Sequence, residues 1–294
     1  MKVAPHTALK HRMLGMYFMI CRQVAKTRWL YYVDLYAGDG EAECDEAPIK
    51  KWKCPFIQSL LEHAKKGTIK LKCFLNELDP DDKGIYERLK QNVKDYKKFI
   101  WGLTREDANK VYVKALKNIP KDEWSIFFLD PSQHDHLAWK TIEEISKHEA
   151  LDSISHCNRK PELIINLMTY TMQRAYKHKP ESITLALGTD EWKDRIISAE
   201  ESKVHEIFSE IFIKRLEDLG YTVNSFQITQ TLPHANVLYY MIFASSIPNA
   251  NEIIVNKYKP YIDKQLKDKW TKENFKCRLI SKARKQGNTL VTDY

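Results

Sequence analysis

Five short stretches of this chain carry residues whose types and spacing could do chemistry. The first, Tyr32-Val33-Asp34-Leu35-Tyr36-Ala37-Gly38-Asp39-Gly40, sets an acid and two glycines where an apolar run stops. Glycines at such a point let the backbone pass close to a bulky ligand and offer N–H groups with no Cβ in the way. Three more acids, Glu77, Asp107 and Asp130, follow later apolar runs, and Pro131 comes directly after the last. The fifth stretch is the polar Asn166 at the end of another apolar run. An ionised carboxylate only accepts hydrogen bonds, from an ammonium, from paired sugar hydroxyls or from an exocyclic amine. Asp34, Glu77 and Asp107 suit those three jobs in that order, and Asp130 suits a group held beside them. Asp79, on the same strand face two residues on, rivals Glu77.

These residues need a frame that brings strand ends together. Apolar residues spaced by three and four over residues 6–26 predict a helix with one buried stripe. Residues 29–35 form a nearly continuous apolar run, as in a strand buried on both faces of a parallel sheet. The alternation then repeats, with helices over 56–66, 83–96, 109–118 and 137–147 and strands over 69–75, 99–103, 124–129 and 162–168. Such βαβ units imply a parallel sheet with right-handed crossovers and helices on both faces. An insertion over 170–200, helical in part, precedes a helix over 201–219 that Gly220 is placed to cap. Strands over 222–229 and 236–245 are joined by a short loop holding Pro233, which suits a hairpin and excludes a parallel crossover.

That order predicts an α/β, Rossmann-like fold of the class I methyltransferase kind: a mostly parallel seven-stranded sheet with a C-terminal antiparallel hairpin, an N-terminal helix and a basic helical C-terminal segment. Residues 1–250 make the main domain and 251–294 the extension. Ligands of open parallel sheets bind beyond the carboxyl ends of the strands, where the four acids stand. The expected cofactor is S-adenosylmethionine, with Asp34, Tyr36, Ala37, Gly38, Gly40, Glu77 and Asp107 as its contacts. The interval from Asp34 to Glu77 exceeds the roughly 20 residues usual between such elements. A polar loop over 41–53, long enough to fold over the cofactor, absorbs the excess.

Several motifs together resemble the bacterial three-Cys-motif partner proteins. They are Lys10-His11, the stretch from Tyr32 to Gly40, Phe127-Phe128-Leu129-Asp130-Pro131, Leu163-Ile164-Ile165-Asn166 and Leu238-Tyr239-Tyr240-Met241-Ile242-Phe243-Ala244-Ser245, spread over roughly residues 8–250. The resemblance implies a methyltransferase-like Rossmann fold and turns Lys10 and His11 toward the cofactor. Taken alone they read as a solvated helix pair. A more distant likeness is to the ribosomal-RNA adenine-N6 methyltransferases, whose fourth strand ends in Asp-Pro-Pro-aromatic. There the acid takes the target amine and the aromatic stacks on the flipped base. Asp130 and Pro131 match and become the expected catalytic pair, but Ser132 and Gln133 depart from the pattern. Trp139 or Tyr170 would then have to supply the stacking face. Ser132, Gln133, His134 and Asn166 are the expected substrate contacts, Asn166 being equally readable as a structural amide. His134-Asp135-His136 has no evident third ligand, so no metal is expected.

Composition narrows the setting. The chain has 294 residues, 43% of them apolar and 29% charged, as in a globular protein. Its six cysteines include no Cys-x-x-Cys pair, which predicts free thiols and no disulfide scaffold. No apolar stretch is long enough for a membrane span and the N-terminus lacks an apolar signal core, so a cytoplasmic protein without a membrane partner is expected. Residues 256–285 hold eleven Lys or Arg against three acids, an excess equal to the net charge of +8 of the whole chain. Tyr258, Tyr261, Trp270 and Phe275 lie among those charges. Cations neutralise phosphates and aromatics stack on bases, so nucleic acid is the expected partner, with a packed helix as the other reading and a protein partner compatible with either. The expected function is methyl transfer from S-adenosylmethionine to DNA or RNA, adenine N6 included. The alternatives are a non-catalytic nucleic-acid-binding or defence-system protein on a degenerate methyltransferase fold, and a metal-dependent nuclease built on the clustered acids.

Overall fold

In the computed structural model the continuous apolar runs are strands and the segments of three-four periodicity are helices. Residues 5–24, 28–44, 52–54, 56–151, 158–230, 236–247, 254–260, 275–281, 284–285 and 288–289 are described. The chain divides into two units, residues 1–128 with 255–274 and residues 129–254 with 275–294.

The first unit is built on β1 (Leu30–Asp34), β2 (Leu71–Asn76), β3 (Ile100–Thr104) and β4 (Trp124–Leu129), in the order β4-β1-β2-β3. All three pairings are parallel, with Leu30 opposite both Leu71 and Trp124, and Asp34 opposite both Leu75 and Phe128. Register therefore brings the ends of β1, β2 and β4 to one level. The crossovers carry α1 (Pro5–Val24) ahead of the sheet, then α2 (Phe56–Lys65), α3 (Ile85–Asn92) and α4 (Ala108–Leu116). Part of the loop expected over 41–53 is an antiparallel ribbon of Ala42–Cys44 with Trp52–Cys54, and α1 lies against it and against α2. Residues 45–51 lie outside the described ones. Phe18 of α1 meets the buried ring of Tyr32 edge-on at 5.2 Å. Tyr258 is also core: its hydroxyl donates to the carbonyl of Met13 at 2.6 Å and its ring stands edge-on to Tyr17 at 5.7 Å. One aromatic of the basic segment thus serves packing, while Tyr261 and Trp270 lie outside the described residues.

The second unit holds β5 (Glu162–Leu167), β6 (Thr222–Gln230), β7 (Val237–Ser245) and β8 (Phe275–Ser281), in the order β5-β7-β6-β8 with every pair antiparallel. Its helices are α5 (Trp139–Ser146), α6 (Thr169–Ala175), α7 (Pro180–Leu187), α8 (Glu191–Ile196) and α9 (Val204–Asp218). The expected insertion is α6, α7 and α8, each in contact with α9. Val204, Ile207, Phe208, Ile211, Phe212 and Leu216 give α9 its buried stripe. Gly220 ends α9 as expected. At φ 87° its N–H donates to Glu217 O at 2.8 Å and the next, of Tyr221, to Leu216 O at 3.1 Å, a Schellman pair only a left-handed residue completes without strain.

The fold is the expected α/β methyltransferase class, a mostly parallel sheet with a C-terminal antiparallel hairpin. The two units hold eight such strands in all, one more than expected. The correction concerns the basic C-terminal segment: residues 275–281 are not helical but form β8 on β6, from Asn224 opposite Ser281 to Gln230 opposite Phe275. Phe-Lys-Cys-Arg-Leu alternates with period two, which a strand accommodates and a helix does not. Pairing also satisfies β6 backbone groups that an open edge would leave bare. Among the described residues no helix is long and apolar enough to cross a membrane.

Gly188 ends α7 at φ 67°, and a Cβ there would lie 2.4 Å from Cγ and Cδ1 of Trp139. Trp139 is itself buried edge-on against Phe212 at 5.3 Å, with the Arg215 guanidinium over its ring. Gly188→Ala should therefore lose about 3 kcal/mol in urea unfolding, from the left-handed backbone and the overpacked ring together.

Candidate functional site

The carboxyl ends of β1, β2 and β3 are joined by a residue the sequence reading passed over. Asn76, the last residue of β2, is 0% exposed and uses its whole amide. Nδ2 donates to Leu35 O at 3.0 Å and to Glu106 O at 2.9 Å, while Oδ1 accepts from Thr104 Oγ1 at 2.8 Å and from Glu106 N at 3.0 Å. Its carbonyl takes the N–H of Ala37 at 2.8 Å. The end of each neighbouring strand is thus tied to one side chain.

That clamp sets the glycine loop against Glu77. Gly38, at φ 59°, donates its N–H to Glu77 Oε2 at 2.9 Å. Among the described residues a Cβ on Gly38 would meet nothing within 4 Å. Gly40, at φ 75°, is enclosed instead, since a Cβ would lie 3.1 Å from Leu89 Cδ1. Asp39 is buried and structural. It accepts from Glu41 N at 3.1 Å and Arg88 Nε at 3.4 Å, and its carbonyl takes Asn92 Nδ2 at 2.8 Å, hooking α3 to the loop. Tyr36 and Ala37 are half-buried on the same turn.

Glu77 and Asp79 are now distinguished. Asp79 is buried and starts α3, accepting from the N–H groups of Lys83, Ile85 and Tyr86. Burial works against its charge, yet those bonds hold its carboxyl below the usual range. Glu77 is only half-buried and faces the loop, its Oε1 accepting Asp79 N at 3.2 Å. Burial pushes its carboxyl above the usual range in spite of the two backbone donors, with the charges of Asp79 and Asp39 adding to the rise. Leu78, between the two acids, leaves 46% of its surface exposed. An apolar residue inside Glu-Leu-Asp was the signal available for it.

Asp34 is 3% exposed and organises the turn, accepting Tyr32 OH and Tyr36 N–H at 3.0 Å each. Asp107 is the N-cap of α4, one oxygen accepting Asn109 N at 2.9 Å. Lys10 is buried and His11 half-buried on α1.

The second unit places the other expected residues. Asp130, directly after β4, accepts Asn166 Nδ2 at 2.7 Å, which fixes the carboxylate against the end of β5. Asn166 is 3% exposed, and its Oδ1 is buried without a partner. Pro131 is buried, Ser132 and Gln133 are exposed, and Ser132 Oγ lies 3.1 Å from His136 Nδ1. His134 does not face outward: Nδ1 meets Thr171 Oγ1 at 3.1 Å and Nε2 meets Ser182 Oγ at 2.8 Å. Each hydroxyl also lies within hydrogen-bond distance of a backbone carbonyl, of Met168 at 2.8 Å and of Lys179 at 2.7 Å. A neutral imidazole has one N–H, so one hydroxyl must turn its proton to the bare nitrogen. Trp139 cannot be a stacking face, because the core already covers it. Tyr170, half-buried at the start of α6, keeps that possibility, with the Arg174 guanidinium 5.7 Å from its ring centre. Among the described residues no three His, Cys, Asp or Glu side chains group as metal ligands.

No family model and no curated protein matches this chain. Among solved structures it is similar to protein LPL1258 from Legionella pneumophila, with a TM-score of 0.51 and 11% identity over 94% of this chain and 96% of that one. At that identity the likeness is one of fold alone. It also overlaps M. jannaschii TYW2 in complex with AdoMet at a TM-score of 0.34, 13% identity, 79% of this chain and 74% of that one, too loosely to carry an argument. The strand order and the loop geometry therefore define the class, a Rossmann-like methyltransferase fold.

Two outcomes follow. Asn76→Ala strands two carbonyls and an N–H at the joined strand ends and should cost roughly 3 kcal/mol in urea unfolding. Burial pushes His134 down, the Asp135 charge opposing and Lys179 and His136 adding to the fall. A depressed histidine contributes stability above its ordinary value of 6.5 that is lost as pH falls through the folded value. Stability should thus decline as pH falls below the ordinary value of 6.5, and less steeply in His134→Gln.

Proposed function

We propose that the protein is an S-adenosylmethionine-dependent methyltransferase whose acceptor is a nucleic acid. The observation that carries the cofactor assignment is the Gly38 N–H held on Glu77 at 2.9 Å, at the carboxyl ends of parallel strands, with no described atom within 4 Å of a Cβ on Gly38. Each Glu77 oxygen has one backbone donor and lone pairs to spare, which suits it to paired ribose hydroxyls. The exposed Leu78 offers an apolar face for a purine ring, and the second oxygen of Asp107 suits its amino group. Gly38 leaves room for the cofactor to approach the main chain, and Asp34 acts by holding the turn.

When bound, the cofactor supplies a methyl group on a sulfonium, ready for direct displacement. The chain's own part is alignment, which such a transfer chiefly needs. Asp130, oriented by Asn166, would accept an N–H of the acceptor amine and so turn its lone pair outward. The amine would then shed one proton to solvent. The motifs shared with the three-Cys-motif partner proteins accord with this reading. The departure at Ser132-Gln133, with Trp139 buried, favours a second reading in which cofactor and nucleic acid bind but no methyl group is transferred.

Calorimetry with S-adenosylhomocysteine tests the first claim. Glu77→Gln should weaken binding at least about tenfold, or 1.4 kcal/mol. Its stability at neutral pH should hold or rise, because the substitution removes a charge that burial disfavours. Unchanged affinity in Glu77→Gln, or no heat in the natural chain, would overturn the assignment. Asp130→Ala should keep the heat and lose methyl incorporation into nucleic acid; incorporation without Asp130 would remove its role.

A further inference from the structure

The second unit carries an exposed run of cations that neither the fold nor the cofactor assignment uses. Arg174, Lys177, His178 and Lys179 are all exposed on the end of α6 and the turn into α7. Lys177 is paired with Glu201 at 3.0 Å. Arg174 and Lys179 have no carboxylate partner among the described residues, and Arg174 rests instead on the ring of Tyr170. Tyr176 stands in the same stretch, 5.3 Å from Lys177 Nζ.

The run is held to the acceptor loop at both ends. Thr171 before it and Ser182 after it are the two partners of His134, four residues beyond Asp130. Tyr170 follows Asn166 by four residues, and Asn166 is bonded to Asp130. The charge of Lys179 also reaches the His134 ring. Cations and tyrosines are thus pinned beside the proposed acceptor carboxylate by three side-chain bonds.

We propose that residues 170–179 form the docking surface for a single-stranded stretch of the nucleic-acid acceptor, with Arg174 and Lys179 on phosphates and Tyr170 against an unpaired base. This rests on the methyltransferase reading for its purpose and deepens it by assigning the substrate surface. Interleaved cations and aromatics match a single strand, whose phosphates need neutralising and whose bases present open π-faces. Duplex DNA offers no such faces, and the run itself has no exposed large aliphatic side chain to enter a lipid surface.

The experiment is fluorescence anisotropy of the full chain with a labelled unstructured oligonucleotide of about 20 residues, over about 50 to 200 mM salt. Arg174→Ala with Lys179→Ala should lower affinity about tenfold or more and reduce the log–log salt slope by about 1.4, two phosphates at about 0.7 each. Tyr170→Ala should lower affinity about tenfold with the slope unchanged, as loss of a stack does. Lys110→Ala with Lys117→Ala, on the exposed side of α4, should stay within about twofold of the natural chain. The proposal fails if the natural chain does not bind, if the two double variants bind alike, or if duplex or phosphatidylserine vesicles bind more tightly than the single strand. Heat with S-adenosylhomocysteine, measured on the Arg174/Lys179 variant, separates the claims. Its absence in the natural chain overturns the cofactor reading, while its retention beside unchanged oligonucleotide binding overturns only the docking surface.

Discussion

The first unit depends on one amide. Three parallel strands end together, and each end presents backbone groups that have left the ladder but not yet reached water. Asn76 satisfies three such groups, and the Thr104 hydroxyl besides, from a single fully buried side chain, something an apolar residue or a carboxylate at that position cannot do. With Leu35 and Glu106 held, the loop after β1 has one course, and its Gly38 N–H arrives at the residue that follows the clamp. Glu77 therefore faces the loop because Asn76 precedes it. The left-handed backbone of Gly38 and Gly40 completes the turn.

Polar groups at the strand ends divide their work in a way their types do not announce. Asp79 and Asp39 spend their oxygens on backbone and on Arg88, so they stabilise α3 and the loop. Glu77 is held where burial disfavours its charge. A carboxylate kept against its own preference is a cost to the fold, and such costs gather where a ligand is to be met. In the second unit Asn166, one residue before the end of β5, resembles Asn76 in being a buried amide near the close of a strand. The difference is an unpartnered Oδ1, and its donor side fixes Asp130. His134 tethers its loop to α6 and α7, both ring nitrogens being taken by Thr171 and Ser182.

Most of the fold was legible because strand and helix write different periods into the chain. The run at residues 124–129 matches β4 end for end, and Gly220 announced the close of α9. The glycines and the four acids were legible as a set for the same reason, each following an apolar run. What the pattern could not show was which side chains those acids would meet. Asn76 was hidden because an amide ending an apolar strand reads as incidental, and only the meeting of residues 28 to 41 apart in sequence gives it a role. Glu77 and Asp79 share a face in sequence and were separated by the φ of 46° at Asp79, which turns its carboxylate under α3. Trp139 looked available until Gly188 and Phe212 closed over it, and β8 was masked by the charge of its segment.

The most direct test of the central claim is hydrogen exchange of the full chain with and without S-adenosylhomocysteine. If the loop of Gly38 and the carboxylate of Glu77 hold the cofactor, exchange should slow in residues 35–40 and 76–79 when the ligand is added, with little change in α9. Equal rates in those two stretches with ligand present at saturating concentration would contradict it.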